Sequence, residues 1–192
     1  MHPDWIQYDE SLRCLGLTLS PQVTLGHVEL LADVGSPLVC GGEVAPGDVA
    51  TAVFILAWPA ETSRRALRSR FTPLVFWLWP KLASVSDWDE VAETFCAWFA
   101  ECIKSPSRII TTSAGSQSRS EIAAPWWVNQ IAMAMSELGL SYTEATTMPA
   151  RKVGQLVAAV LEARNQAEYE TETRRNFIEQ VKVWEAEKAR GN

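Results

Sequence analysis

The 192 residues carry 17 Lys and Arg against 23 Asp and Glu, a formal charge of −6, and 47% of them are hydrophobic. That is chain enough for one or two small domains with a real core, and the composition is globular rather than disordered. The acidity argues against duplex nucleic acid as the main partner, because phosphate binding needs a basic face. The best apolar run, VATAVFILAWPA (49–60), falls well short of the about 20 residues that span a bilayer. The beginning, MHPDWIQYDE, has no basic segment ahead of an apolar one. No secretory signal and no membrane association are therefore expected, and the cytoplasm is the expected compartment.

From the N-terminus, CLGLTLS (14–20) alternates Leu15, Leu17 and Leu19 with small residues, the period of a short strand. VTLGHVELLADVGSP reads as a helix with Thr24 as N-cap, stopped by Gly35 and Pro37. CGGEVAPGD (40–48) is a loop whose glycines serve turn geometry. It lacks the Lys-Ser/Thr ending of a nucleotide loop and the spacing of a dinucleotide fingerprint. The next helix, DVATAVFILAW, has Asp48 as its expected N-cap; it is apolar nearly all round and so belongs at the centre of the core. Pro59 interrupts it. A basic stretch follows with Arg64, Arg65, Arg68 and Arg70, then TPLVFWLWPKL (72–82), opened by a proline.

SDWDEVAETFCAWFAECIKS (86–105) is the clearest helix of the first half. Ser86 with Asp89 suggests a capping box, and Trp88, Val91, Ala92, Phe95, Phe99 and Cys102 form the apolar face. SPSRIITTSAGSQSRS (105–120) has no acidic residue and little periodicity, and reads as a linker or long exposed loop. Downstream, Pro125 opens a helix that Gly139 closes. Ser141 and Glu144 form a capping box, Met148-Pro149 breaks the short helix, and a final helix is expected from about Pro149 to about Lys188. The expected fold is mainly α with little β: an N-terminal helical domain (1–104), a Ser-rich linker (105–122) and a C-terminal helical unit (123–192) that carries the long charged helix.

No residue set announces chemistry. His27 would need a nucleophile such as Ser36 or Cys40 poised against it, and nothing in the sequence places one there. Cys14, Cys40, Cys96 and Cys102 include no C-x-x-C pair. Cys96 and Cys102 lie about 240° apart on one helix. They read as small buried hydrophobes of a reducing compartment, and neither a metal nor another cofactor is expected. The arginine run is either the solvated face of a helix or a contact for an acidic protein surface, including the chain's own acidic helices. The nine tryptophans are core residues by default, yet tryptophan is also enriched at interface hot spots. The PWW at 125–127 starts a helix directly after the Ser-rich segment. It is a candidate anchor onto the N-terminal unit or onto a partner.

The stretch PWWVNQIAMAMSELGLSYTEATTMPARKVGQLVAAVLEA resembles the C-terminal part of tail assembly chaperones of tailed bacteriophages. The shared pattern is a Gly-ended helix, a hydroxyl-capped acidic turn, Met-Pro and a long helix. LGLTLSPQVTLGHVELLADVGSPLVCGGEVAPGDVATAVFILAW is similar to the front half of one such group, with its TLGH helix, Ser-Pro turn and Gly-rich loop. Together the matched parts cover a little under half of the chain.

The resemblance implies a helical, non-enzymatic protein of the host cytoplasm. Such a protein coats the aggregation-prone tape measure protein until the tail tube polymerises around it. A structural minor tail or connector protein that stays in the particle is the alternative. The residues expected to meet a partner are Trp126, Trp127, Tyr142 and Met148 in the C-terminal unit, Phe177 and Trp184 on the charged tail, and Arg64 and Arg68 in the basic stretch. That tail is longer than the resemblance requires, and is expected to serve as a homo-oligomerisation element or a second contact.

Overall fold

The computed structural model describes residues 8–68, 83, 85–106, 108–109, 124–164 and 168–169. Within them the fold is mainly helical, as the sequence leads one to expect. The chain opens with a hairpin, β1 (Leu12–Cys14) and β2 (Leu17–Leu19), paired Leu12 with Leu19 and Cys14 with Leu17. This corrects the expectation of one strand over 14–20. Leu15 and Gly16 both take positive φ, 50° and 79°, as a two-residue hairpin turn of the primed kind requires. The alternating leucines are thus split between a turn and a return strand, with Leu19 fully buried.

Four helices follow: α1 (Leu25–Asp33), α2 (Pro37–Cys40), α3 (Pro46–Leu56) and α4 (Ala60–Arg68). Thr24 caps α1 as expected, accepting the His27 N–H at 3.3 Å, and Gly35 ends it at φ +71°. The α3 start differs from expectation. Asp48 is not the N-cap; Ala45 is, and Pro46 takes the first helical position. The proline fixes the helical φ one turn earlier, and the Asp48 carboxylate reaches back to the Ala45 N–H at 2.9 Å. Along α3, Val49, Ala50, Val53 and Ile55 are all fully buried. Ser63 Oγ donates to the Ile55 carbonyl at 2.9 Å, fastening α4 beneath α3.

Helix α5 (Trp88–Ile103) is capped by Asp87, which accepts from Glu90 N–H at 3.1 Å. The capping pair is therefore one residue later than Ser86 with Asp89, because the carboxylate nearest the first turn takes the role. Phe95, Trp98, Phe99 and Cys102 face inward, and Trp98 Nε1 donates to the Glu10 carbonyl at 2.8 Å. With the hairpin, most of α1, and α3, they form the first core.

The second core belongs to α6 (Trp126–Leu138), α7 (Tyr142–Thr147) and α8 (Ala150–Ala163). Gly139 ends α6 at φ +68°. Ser141 and Glu144 make the expected capping box, and these hydrogen bonds hold the Glu144 carboxyl below its ordinary range. Helix α8 stops at Ala163 rather than continuing toward Lys188, and Glu168–Tyr169 (β4) pairs antiparallel with Arg108–Ile109 (β3). The rest of the expected long helix, beyond Tyr169, lies outside the described residues.

The two cores meet. Leu25, the first residue of α1, is fully buried in the second core while Val28 and Leu31 belong to the first, and Trp127 and Ile103 border both. The Ala150 N–H donates to the Val23 carbonyl at 2.7 Å. Arg151, buried in α8, donates to the Glu101 carbonyl of α5 at 2.8 Å and lies under the Tyr8 ring.

Gly26 makes the closest approach: a Cβ there would stand 2.9 Å from the Thr146 carbonyl oxygen of α7. Gly26→Ala gains about 1 kcal/mol of helix propensity but forces two backbones apart, at about 1–3 kcal/mol. A lowered urea midpoint is expected. A raised midpoint would contradict the contact between α1 and α7.

Candidate partner-binding surface

On α6, Ile131 and Ala134 point into the second core, and Trp127 fills the seam where both cores meet. Trp126 stands edge-on to Trp127, ring centroids 6.0 Å apart at 89°, and is 38% exposed. The apolar arc of α6 is wider than the face the protein covers. Val128, Ala132 and Met135, spaced i, i+4 and i+7, form one row on the outer side; Val128 is 44% and Met135 42% exposed. Residues so spaced lie above one another on a helix. The row carries no charge, in a chain of net charge −6. Sequence reasoning picked the tryptophan pair and missed this row. Its signal was the continuation of apolar residues past the edge of the face that holds Ile131 and Ala134, where a surface helix normally turns polar.

The other expected contact residues are placed as follows. Tyr142 is 46% exposed, but its hydroxyl donates to Glu29 Oε1 on α1 at 2.5 Å; that bond to a carboxylate, then burial, raises its pKa. The same Glu29 takes Arg64 Nη2 through its other oxygen at 2.8 Å. Glu29 thus joins α4, α1 and α7, a node absent from the sequence reading because its members are 35 and 113 residues away. Arg65 pairs with Glu61 at 3.1 Å, and Arg65 and Arg68 lie in the last turn of α4, where the helix dipole favours cations. The basic run is in this part a helix end and an internal ion pair. Arg68 is exposed. Met148 packs against the second core. Phe177 and Trp184 lie outside the described residues.

The residues weighed for chemistry have other occupations. His27 is buried, with Nδ1 facing the Thr24 N–H at 3.1 Å and Nε2 facing the Trp58 carbonyl at 2.9 Å. Neither Ser36 nor Cys40 is among its partners. Burial pushes the Cys14 thiol up, and the Cys102 thiol up to about 12 despite the opposing charge of Arg151. A thiol so shifted is a poor nucleophile near neutrality. Cys40, expected to be buried, is exposed on the last turn of α2.

A cleft of about 380 Å³ lies between Tyr8, Gln22 and the start of α8, and another of about 410 Å³ between the hairpin turn and α5. Among the described residues no group of acidic, Cys and His side chains has metal-binding spacing, and no helix is long and apolar enough to cross a membrane. No family model matches the chain, and no curated protein or solved structure shows significant similarity to it.

Proposed function

We propose that this chain is a non-enzymatic assembly factor of a tailed bacteriophage, a tail assembly chaperone that acts in the host cytoplasm. It covers apolar helical segments of the tape measure protein until the tail tube encloses them. The observation that carries the reading is the uncharged outer row of α6, Val128, Ala132 and Met135. A partner helix with apolar residues at i, i+3, i+4 and i+7 is the natural complement of such a row. A tape measure protein, long and helical, supplies that pattern repeatedly. The remaining polar surface keeps the pair in solution, because net charge opposes self-association. The sequence pattern of the Gly139 stop, the Ser141–Glu144 box and the Met148-Pro149 break supports the same family.

Co-expression with the tape measure protein of the same genome tests it. The tape measure fragment should move from the pellet to the supernatant and elute with this chain on size exclusion. A fragment that stays in the pellet at equal expression contradicts the proposal.

A further inference from the structure

The capping box of α1 departs from the usual form in one residue. Such boxes read Ser/Thr-x-x-Glu/Gln, the last side chain accepting from the backbone N–H of the cap. Here the sequence is Thr24-Leu25-Gly26-His27, and an imidazole takes the place of the carboxylate or amide. Its partners fix its state. The Thr24 N–H can only donate, so Nδ1 is bare; the Trp58 carbonyl can only accept, so Nε2 carries the hydrogen. The Thr24 hydroxyl, 2.9 Å from Nδ1, donates to the same lone pair. A proton on Nδ1 would occupy that lone pair and face the Thr24 N–H, donor against donor; the hydroxyl can turn to accept it, so the bond lost is the one that closes the box on the backbone of the cap.

The position matters because the turn it caps is where the C-terminal helices dock. Thr24 bridges to Pro149, Val23 accepts from Ala150, and Gly26 touches the Thr146 carbonyl. We propose that Thr24–His27 is a proton-sensitive latch: protonation of His27 at Nδ1 releases the first turn of α1 and, with it, the seam between α1 and the α7–α8 corner.

Among the described residues no carboxylate is placed against the His27 ring, and on α8, across the seam, Arg151 grips Glu101 and Lys152 is exposed. On α1 itself, Glu29 is engaged by Arg64 and Tyr142, and Asp33 lies at the far end. On α4, Glu61 holds Arg64 and Arg65, and Arg68 is in the last turn. Asp48 of α3 caps Ala45, Glu144 of α7 caps Ser141, and Glu137 of α6 binds Arg164. Burial accordingly lowers the His27 pKa, with the bond to Trp58 opposing in part. The sign follows. The unfolded chain takes up the proton first, near the ordinary value of about 6.5. The latch is therefore fully stable above that pH and weakens as pH falls below it, by at most about tenfold per pH unit.

Hydrogen exchange read by mass spectrometry, corrected for intrinsic rates, tests this in the full chain. Between pH 7.5 and 5.5, peptides covering 23–30 and 145–153 should lose protection severalfold, about tenfold at the most, while α5 peptides lose much less. His27→Gln keeps an acceptor for Thr24 and a donor for Trp58 but does not titrate, so it should abolish the difference between the two pH values. Equal protection at both pH values in the native chain, or the same loss in the variant, overturns the proposal. Should the variant not fold, nitrogen NMR of the native His27 decides: the Nε2–H tautomer titrating below the ordinary value supports the latch, and an Nδ1–H tautomer or a raised value overturns it.

Discussion

Phe95→Ala should lower the unfolding free energy by about 3–5 kcal/mol, the range for emptying a fully buried phenylalanine site. Phe95 has no exposed surface and is, among the described residues, the largest side chain of which that is true. It stacks on Phe99 at 6.2 Å and meets Trp98 at 6.0 Å, four and three residues along α5. Helix α3 approaches the same core with Val49, Val53 and Ile55. These β-branched side chains hold restricted rotamers and cannot swing into the void. Against a total stability of about 5–15 kcal/mol, the loss is a large share. The midpoint of thermal unfolding should drop by roughly 6–20 °C for a chain of this size. Phe95→Leu, which retains most of the volume, should cost less than half as much. Equal losses for both variants, or a loss under about 1 kcal/mol for alanine, would contradict a core centred on this residue.

Val128→Asp combined with Met135→Asp should do the opposite: little to stability, much to binding. Both side chains are more than two-fifths exposed, and surface changes are usually within about 0.5 kcal/mol. On the proposed complex, two carboxylates would be carried under an apolar helix without partners. Truncating or desolvating at such central positions costs about 2–4 kcal/mol, or roughly 30- to 1000-fold in affinity. Titration calorimetry with the tape measure fragment, beside thermal unfolding of the free variant, reads both quantities. Arg64→Met is the informative contrast. It removes one arm of the Glu29 node and should affect stability more than binding. If the double variant binds as the native chain does, the α6 row is not the contact.

Local chemistry made much of the fold legible. The Thr24 cap, the Gly35 and Gly139 stops, the Ser141–Glu144 box and the Met148-Pro149 break are decided within four residues of chain, and all stand where the residues place them. The departures have the same origin in reverse. Alternating leucines read alike in a strand and in a hairpin whose turn is Leu15-Gly16. Asp48 serves equally as a cap or as the residue reaching back to one, and only the backbone around Pro46 distinguishes them. What could not be read at all was long-range: Glu29 gathering Arg64 and Tyr142, Arg151 gripping α5, and Trp58 offering its carbonyl to His27. Of the expected contact residues, Trp126 stands exposed while Trp127 and Met148 face inward. Neighbours in sequence fall on different sides of a helix, and which side is covered depends on elements far away.

Mass spectrometry of purified mature virions beside infected-cell lysate tests the central claim most directly. An assembly chaperone acts on the tape measure protein and then leaves it. The chain should be abundant in the lysate and absent from particles. Recovery from particles at a fixed number of copies would contradict the chaperone reading and make this chain a structural component of the tail.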